Sequence, residues 1–179
     1  MKKTILIFFA CIAVAFVQAQ PFQKGTTSVN AGLGLGTALG GLGKVRPAIS
    51  VSADHGVWQV GGRDVVSLGG YVGNTGYKYS YEDYTAKWNY NIIGARGAYH
   101  YNGFEKLSDL DVYGGIMLGY NIVKYSSNDS EEYWGGSYGS GLGFSGFVGG
   151  RWFFGDKFGA YAELGYGVSV LNVGVTVKF

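Results

Sequence analysis

Very little in this sequence has the residue types and spacing that chemistry needs. Gly135–Gly139 reads GGSYG, the G-x-S-x-G spacing that presents a serine nucleophile on a strand-to-helix turn of an α/β sheet. Ser137 would be that nucleophile, but strand-like alternation flanks it on both sides and no helix follows. Gly141, Gly143 and Gly146 satisfy G-x-G-x-x-G, which cradles a pyrophosphate only where a helix comes next, and none does. His55 and His100 are the only 2 histidines, and no further nitrogen or carboxylate ligands stand near them at metal-binding spacing. The single cysteine, Cys11, lies in an N-terminal apolar run, so no disulfide or thiolate metal site is expected. We assign no catalytic, cofactor-binding or metal-ligating residue, and expect no enzyme.

The charges need elements to position them, and the dominant pattern is period two. A strand sends successive side chains to opposite faces. Near Thr26–Gly36, Val29, Ala31, Leu33 and Leu35 oppose Ser28, Asn30 and glycines. Ala48–Trp58, Val65–Tyr79, Trp88–Tyr101, Leu110–Val123, Ser140–Phe154 and Phe158–Val168 alternate in the same way. The eighth segment is the last, with Leu171, Val173, Val175, Val177 and Phe179 opposite Asn172, Gly174, Thr176 and Lys178. On the polar faces parity collects three acids, Asp54, Asp111 and Glu163, and three bases, Arg96, Arg151 and Lys178. Charges on one enclosed face must pair, so an internal ion-pair network is expected, with Glu163 available to Lys178.

Composition says which way the faces point. Of 179 residues 33 are glycine, 17% are aromatic and only 15% are charged. The polar face is mostly small and the apolar face bulky. An eight-stranded lumen is barely wide enough for its own side chains, so the small face fits inside and the bulky one against lipid. A soluble lipid-binding barrel, with the faces reversed, is the competing fold. A tilted membrane strand takes about 9–11 residues, and eight such strands use up the chain with ordinary connections. Segments 37–46, 78–88 and 124–137 are the longer connections, and are read as outside loops. Tyr77, Tyr79, Trp88, Tyr90, Tyr120 and Trp134 flank them, as an interfacial aromatic girdle would. The third loop also concentrates acid at Asp129, Glu131 and Glu132.

The N-terminus carries Lys2 and Lys3, an apolar run from Ile5 to Val17, and the small-residue site Val17-Gln18-Ala19. This is the layout of a cleaved secretory signal peptide over residues 1–19, leaving a barrel domain over 20–179. Loss of Lys2 and Lys3 leaves 12 basic residues against 12 acidic ones, and nothing suggests nucleic acid.

The stretches PAISVSADHGVW, IIGARGAYHYN, LDVYGGIMLGYN and YAELGYGVSVLNVGVTVKF resemble those of the small eight-stranded outer-membrane β-barrels, the OmpA-type, OmpX-type and porin-family barrel domains. The resemblance implies an all-β, antiparallel up-and-down transmembrane barrel in the outer membrane of a Gram-negative cell, as a monomer surrounded by lipid. It also implies that Leu171, Val173, Val175, Val177 and Phe179 form the signal read by the barrel-assembly machinery. The role expected is structural or surface-interacting, through outside loops with an unidentified partner. A narrow channel and a membrane-embedded lipid-modifying enzyme are the other readings. The latter would need a Ser/His/acid cluster near the rim.

Overall fold

A computed structural model describes residues 22–36, 44–82, 84–104, 107–128 and 139–179. Its eight strands are β1 (Thr27–Leu35), β2 (Lys44–Val60), β3 (Asp64–Tyr81), β4 (Tyr84–Tyr101), β5 (Leu110–Ser127), β6 (Gly141–Phe153), β7 (Phe158–Gly165) and β8 (Leu171–Lys178). Each strand pairs antiparallel with the next, and β8 pairs with β1, so the sheet closes into an up-and-down barrel. Closure leaves no unpaired edge around the ring.

The strand faces explain why the barrel closes with this side inward. Leu33, Ile49, Leu68, Val72, Ile93, Ile116, Leu118, Phe144, Val148 and Leu164 are all exposed on the outer surface. Asp54, Arg96, His100, Asp111, Arg151 and Glu163 are buried inside. An apolar shell around an ionic interior inverts the soluble pattern and is the arrangement of a membrane barrel. At the end of β2 the parity slips. A register shift between Gly56 and Trp58 turns Trp58 outward in place of Val57.

The interior is less uniformly small than expected. Tyr71, Tyr113, Tyr161, Phe147, Phe153 and Met117 are buried there with the charges. Glycines on the same wall make room for them. A Cβ at Gly32 would lie 2.2 Å from the Tyr161 hydroxyl, and one at Gly149 would lie 2.7 Å from that of Tyr113. Such approaches require a residue without a side chain.

The strands differ greatly in length. β1, β7 and β8 have 9, 8 and 8 residues, whereas β3, β4 and β5 have 18 each. Residues 78–88, expected as an outside loop, are mostly strand, with a turn at Glu82. β2 to β5 therefore project beyond the barrel as a flap. Pro47 sits where β2 shifts register between Arg46 and Ile49, a place where a strand tolerates proline.

Candidate functional site

Five of the six charges grouped by parity meet inside the barrel. Glu163 holds Arg96 through both carboxylate oxygens, at 3.3 and 2.7 Å. Arg96 Nε lies 3.0 Å from Asp54 Oδ1, in ion contact without hydrogen-bond alignment. Asp54 Oδ2 accepts from Arg151, which donates to Asp111 at 2.7 Å and to Asn30 at 3.0 Å. Tyr113 donates to Glu163 at 3.0 Å. The guanidinium carbon of Arg96 lies 3.8 Å from the Phe147 ring centroid, and that of Arg151 lies 4.3 Å from Tyr113. Each buried cation thus meets acids and an aromatic face, which offsets its desolvation.

Lys178 lies at the edge of this network, within the field of Asp111. Its ammonium lies 4.3 Å from the Phe153 ring centroid at the inner rim. The acid expected to pair with it, Glu163, is occupied by Arg96 and Tyr113. The correction is one of depth. Parity puts Lys178 on the lumen face, but Glu163 pairs with Asn172, six residues before Lys178 in β8.

His100 takes the place expected of Lys178. Its Nδ1 lies 2.8 Å from Asp111 Oδ1, and its Nε2 lies 2.9 Å from Ser67 Oγ. A carboxylate only accepts, so Nδ1 carries the proton. Ser67, His100 and Asp111 therefore form the serine–histidine–acid arrangement that was not legible in sequence. Its surroundings do not suit acyl transfer. Ser67 and His100 have no solvent exposure, and Phe22 stacks on the imidazole at 3.9 Å. Ser67 Oγ is thus closed to solvent, and Arg151 already occupies Asp111. The triad is part of the ionic core.

Both ends of the lumen are filled. Phe22 lies at the inner end, with its carbonyl held by Asn102 Nδ2 at 2.8 Å. Near the outer end the β7–β8 connection turns inward, burying Val168, whose N–H meets the Tyr71 hydroxyl at 3.3 Å. Between them, a void of about 10 Å³ beside Tyr71, Arg96, Met117 and Glu163 sits at the lower limit for a single water.

The aromatic girdle needs correction. Tyr120 faces outward within the apolar belt. Tyr77, Tyr79, Trp88 and Tyr90 instead lie on the row that continues the lumen wall upward, with Tyr90 buried. Tyr77 stacks on Trp88 at 4.3 Å, and Trp88 leans on Tyr125 at 5.0 Å. The cause is the flap. Because β3 to β5 continue as strands, their aromatics alternate with Lys78, Lys87 and Lys124 and fall on the inner face. Leu171, Val173, Val175, Val177 and Phe179 form the outward row of β8, with Asn172, Thr176 and Lys178 buried opposite. The signal segment 1–19, Trp134, Ser137 and the acids Asp129, Glu131 and Glu132 lie outside the described residues.

An ionic core inside a closed, apolar-shelled eight-stranded barrel defines the fold class of the small outer-membrane barrels. Solved structures agree. The chain is similar to Ail, the attachment invasion locus protein of Yersinia pestis, both alone and in complex with the heparin analogue sucrose octasulfate. Identities are 13% and 14%, with a TM-score of 0.51 for each; the matches span 88% of this chain and 100% of Ail. The N-terminal β-barrel domain of Pseudomonas aeruginosa OprF matches at 16% identity and a TM-score of 0.48, over 87% of this chain and 98% of that domain. No family model and no curated protein matches the sequence.

Proposed function

We propose that this protein is an outer-membrane barrel of structural or surface-interaction role, in which a closed scaffold holds the β2–β5 flap outside the cell. The observation that carries this is the filled lumen. Phe22 and Val168 stand toward its two ends, and the Glu163–Arg96–Asp54–Arg151–Asp111–His100 chain lies between them. A solute path would need those groups to part, which makes a porin-like channel the weaker reading. Residues 1–19 act as the export signal, and the row ending in Phe179 marks the chain for the assembly machinery. The barrel works as a monomer among outer-membrane lipid, and any surface partner meets it through the flap and outside loops.

Conductance in planar bilayers tests the closed scaffold. Purified barrel is expected to give no steps above background, and stable unitary steps would restore the channel. Labelling of a Ser80→Cys variant in intact cells with a membrane-impermeant maleimide tests orientation. Labelling is expected from outside, because Ser80 lies near the flap tip.

A further inference from the structure

The flap's outer face carries a pattern that the chain itself does not explain. Register places Lys44 opposite Lys78, and Lys78 opposite Lys87, so three lysines stand side by side on adjacent strands. One row nearer the barrel run Arg46, Gly76, Asn89 and Lys124. Like charges directly opposite one another destabilise a sheet. All five cations are exposed, and no carboxylate among the described residues forms an ion pair with any of them.

The arrangement is also shaped. The cations surround a shallow groove of about 560 Å³ with Gly76 in its floor. A Cβ at Gly76 would lie 2.7 Å from the Trp88 carbonyl oxygen, so glycine keeps both the strand pairing and the floor open. Arg46 donates to Asn74, which in turn donates to Asn89 at 2.7 Å and to Asn91 at 2.8 Å. This amide ladder holds one end of the guanidinium, and Arg46 remains exposed. A planar, oriented guanidinium beside several ammonium groups suits the oxygens of a phosphate.

Height above the apolar belt narrows the ligand. Asn74, Asn91 and Ile122 form the row just below Arg46 and Lys124, and Ile49, Val72 and Ile93 are exposed at and below that level. Two residues of a strand tilted by about 45° climb roughly 5 Å. The cationic rows thus lie about 5–10 Å above the last apolar side chain, the level of the headgroup layer. We propose that this face binds the phosphate groups of a phosphorylated lipid headgroup in the outer leaflet, with the lipid's acyl chains against Ile49, Val72, Ile93 and Ile122. This rests on the flap lying outside, as proposed above.

The test uses full-length folded barrel in neutral maltoside micelles, with bisphosphorylated lipid A as the probe and dephosphorylated lipid A as its control. Bound lipid is counted by native mass spectrometry. Wild type should retain the phosphorylated probe at least tenfold more tightly than the control, since each basic residue near an anionic surface contributes severalfold. The variant Lys44→Gln/Lys78→Gln/Lys87→Gln should lose that preference while keeping the unheated gel mobility of a folded barrel. Equal binding by the variant would overturn the proposal. So would a soluble sulfated dextran that binds wild type as tightly as the phosphorylated lipid and is lost in the same variant, because the site would then serve a soluble polyanion. Micelles carry no sidedness, so this result is independent of orientation, which the Ser80→Cys labelling reads alone.

Discussion

The cations of the lumen and the cations of the flap live under opposite rules. Arg96 and Arg151 are buried, and the chain supplies each with carboxylates and an aromatic face. Lys44, Lys78 and Lys87 are exposed, and the chain supplies each with another lysine. A buried charge left unpaired costs several kcal/mol, so inside the barrel every partner must be encoded in the same chain. An exposed like-charge row costs only tenths of a kcal/mol per pair. It survives folding, and no carboxylate among the described residues pairs with it. The barrel's polar core is therefore best explained by stability, and its flap, under the proposal above, by binding.

Breaking the inner population should have the largest effect. Arg151→Met would leave Asp54 and Asp111 buried without their shared cation, for an expected loss of about 3–5 kcal/mol. Urea titration of the folded fraction, read on unheated gels, measures it. A loss below about 1 kcal/mol would mean that the network is not what holds the lumen together. Phe22→Ala separates packing from charge at the same end of the barrel. It keeps every ion pair but removes the ring stacked on His100, for an expected loss of up to about 3 kcal/mol. If it destabilises as much as Arg151→Met, the plug rather than the network dominates.

Asp64 offers an intermediate case, a partly exposed acid with partners within the chain. It begins β3 beside the inner β2–β3 turn, outside the apolar belt, where the Tyr99 hydroxyl and then the Asn102 N–H hold its carboxyl below the ordinary value of 3.8. A carboxylate with a lowered pKa in the folded state contributes stability above its unfolded pKa and loses it as pH falls through the folded value. Wild type should therefore exceed Asp64→Asn in stability at pH 7, and the gap should close below pH 3.8. This should be the smallest of the three effects, because the group remains partly open to solvent. Paired urea titrations at the two pH values read it, and a gap unchanged by pH would mean that Asp64 is held by something other than these bonds.

Much of the barrel was legible because period-two alternation is a local signal. It identified eight strands, the outward row from Leu33 to Val175, and the lumen positions of Asp54, Arg96, Asp111, Arg151 and Glu163. It gave faces without depths, so Lys178 and Glu163 shared a face yet sit at different levels. Strand length was hidden for a related reason. The apolar belt ends near Ile122 and Val72, and beyond it the tyrosines and lysines of β3 to β5 resemble loop composition, although they keep alternating. Reading that alternation past the belt would have found both the lysine row and the aromatic inner face. His100 lay on the polar face, but its link to Ser67 and Asp111 needs the registers of three strands. Phe22 carries no periodic signal, since it precedes β1 and acts through the tertiary fold.

Lys78 is the place where the contrast can be tested most directly, because it stands between two other lysines. Lys78→Gln, studied by urea titration in neutral detergent at low ionic strength and without phosphate, removes two like-charge pairs and no acid partner among the described residues. The expected result is unchanged stability or a gain of a few tenths of a kcal/mol, fading as salt is added. A loss of about 1 kcal/mol or more would mean that Lys78 has a partner within the chain, and the flap's cations would then follow the same rule as the lumen's.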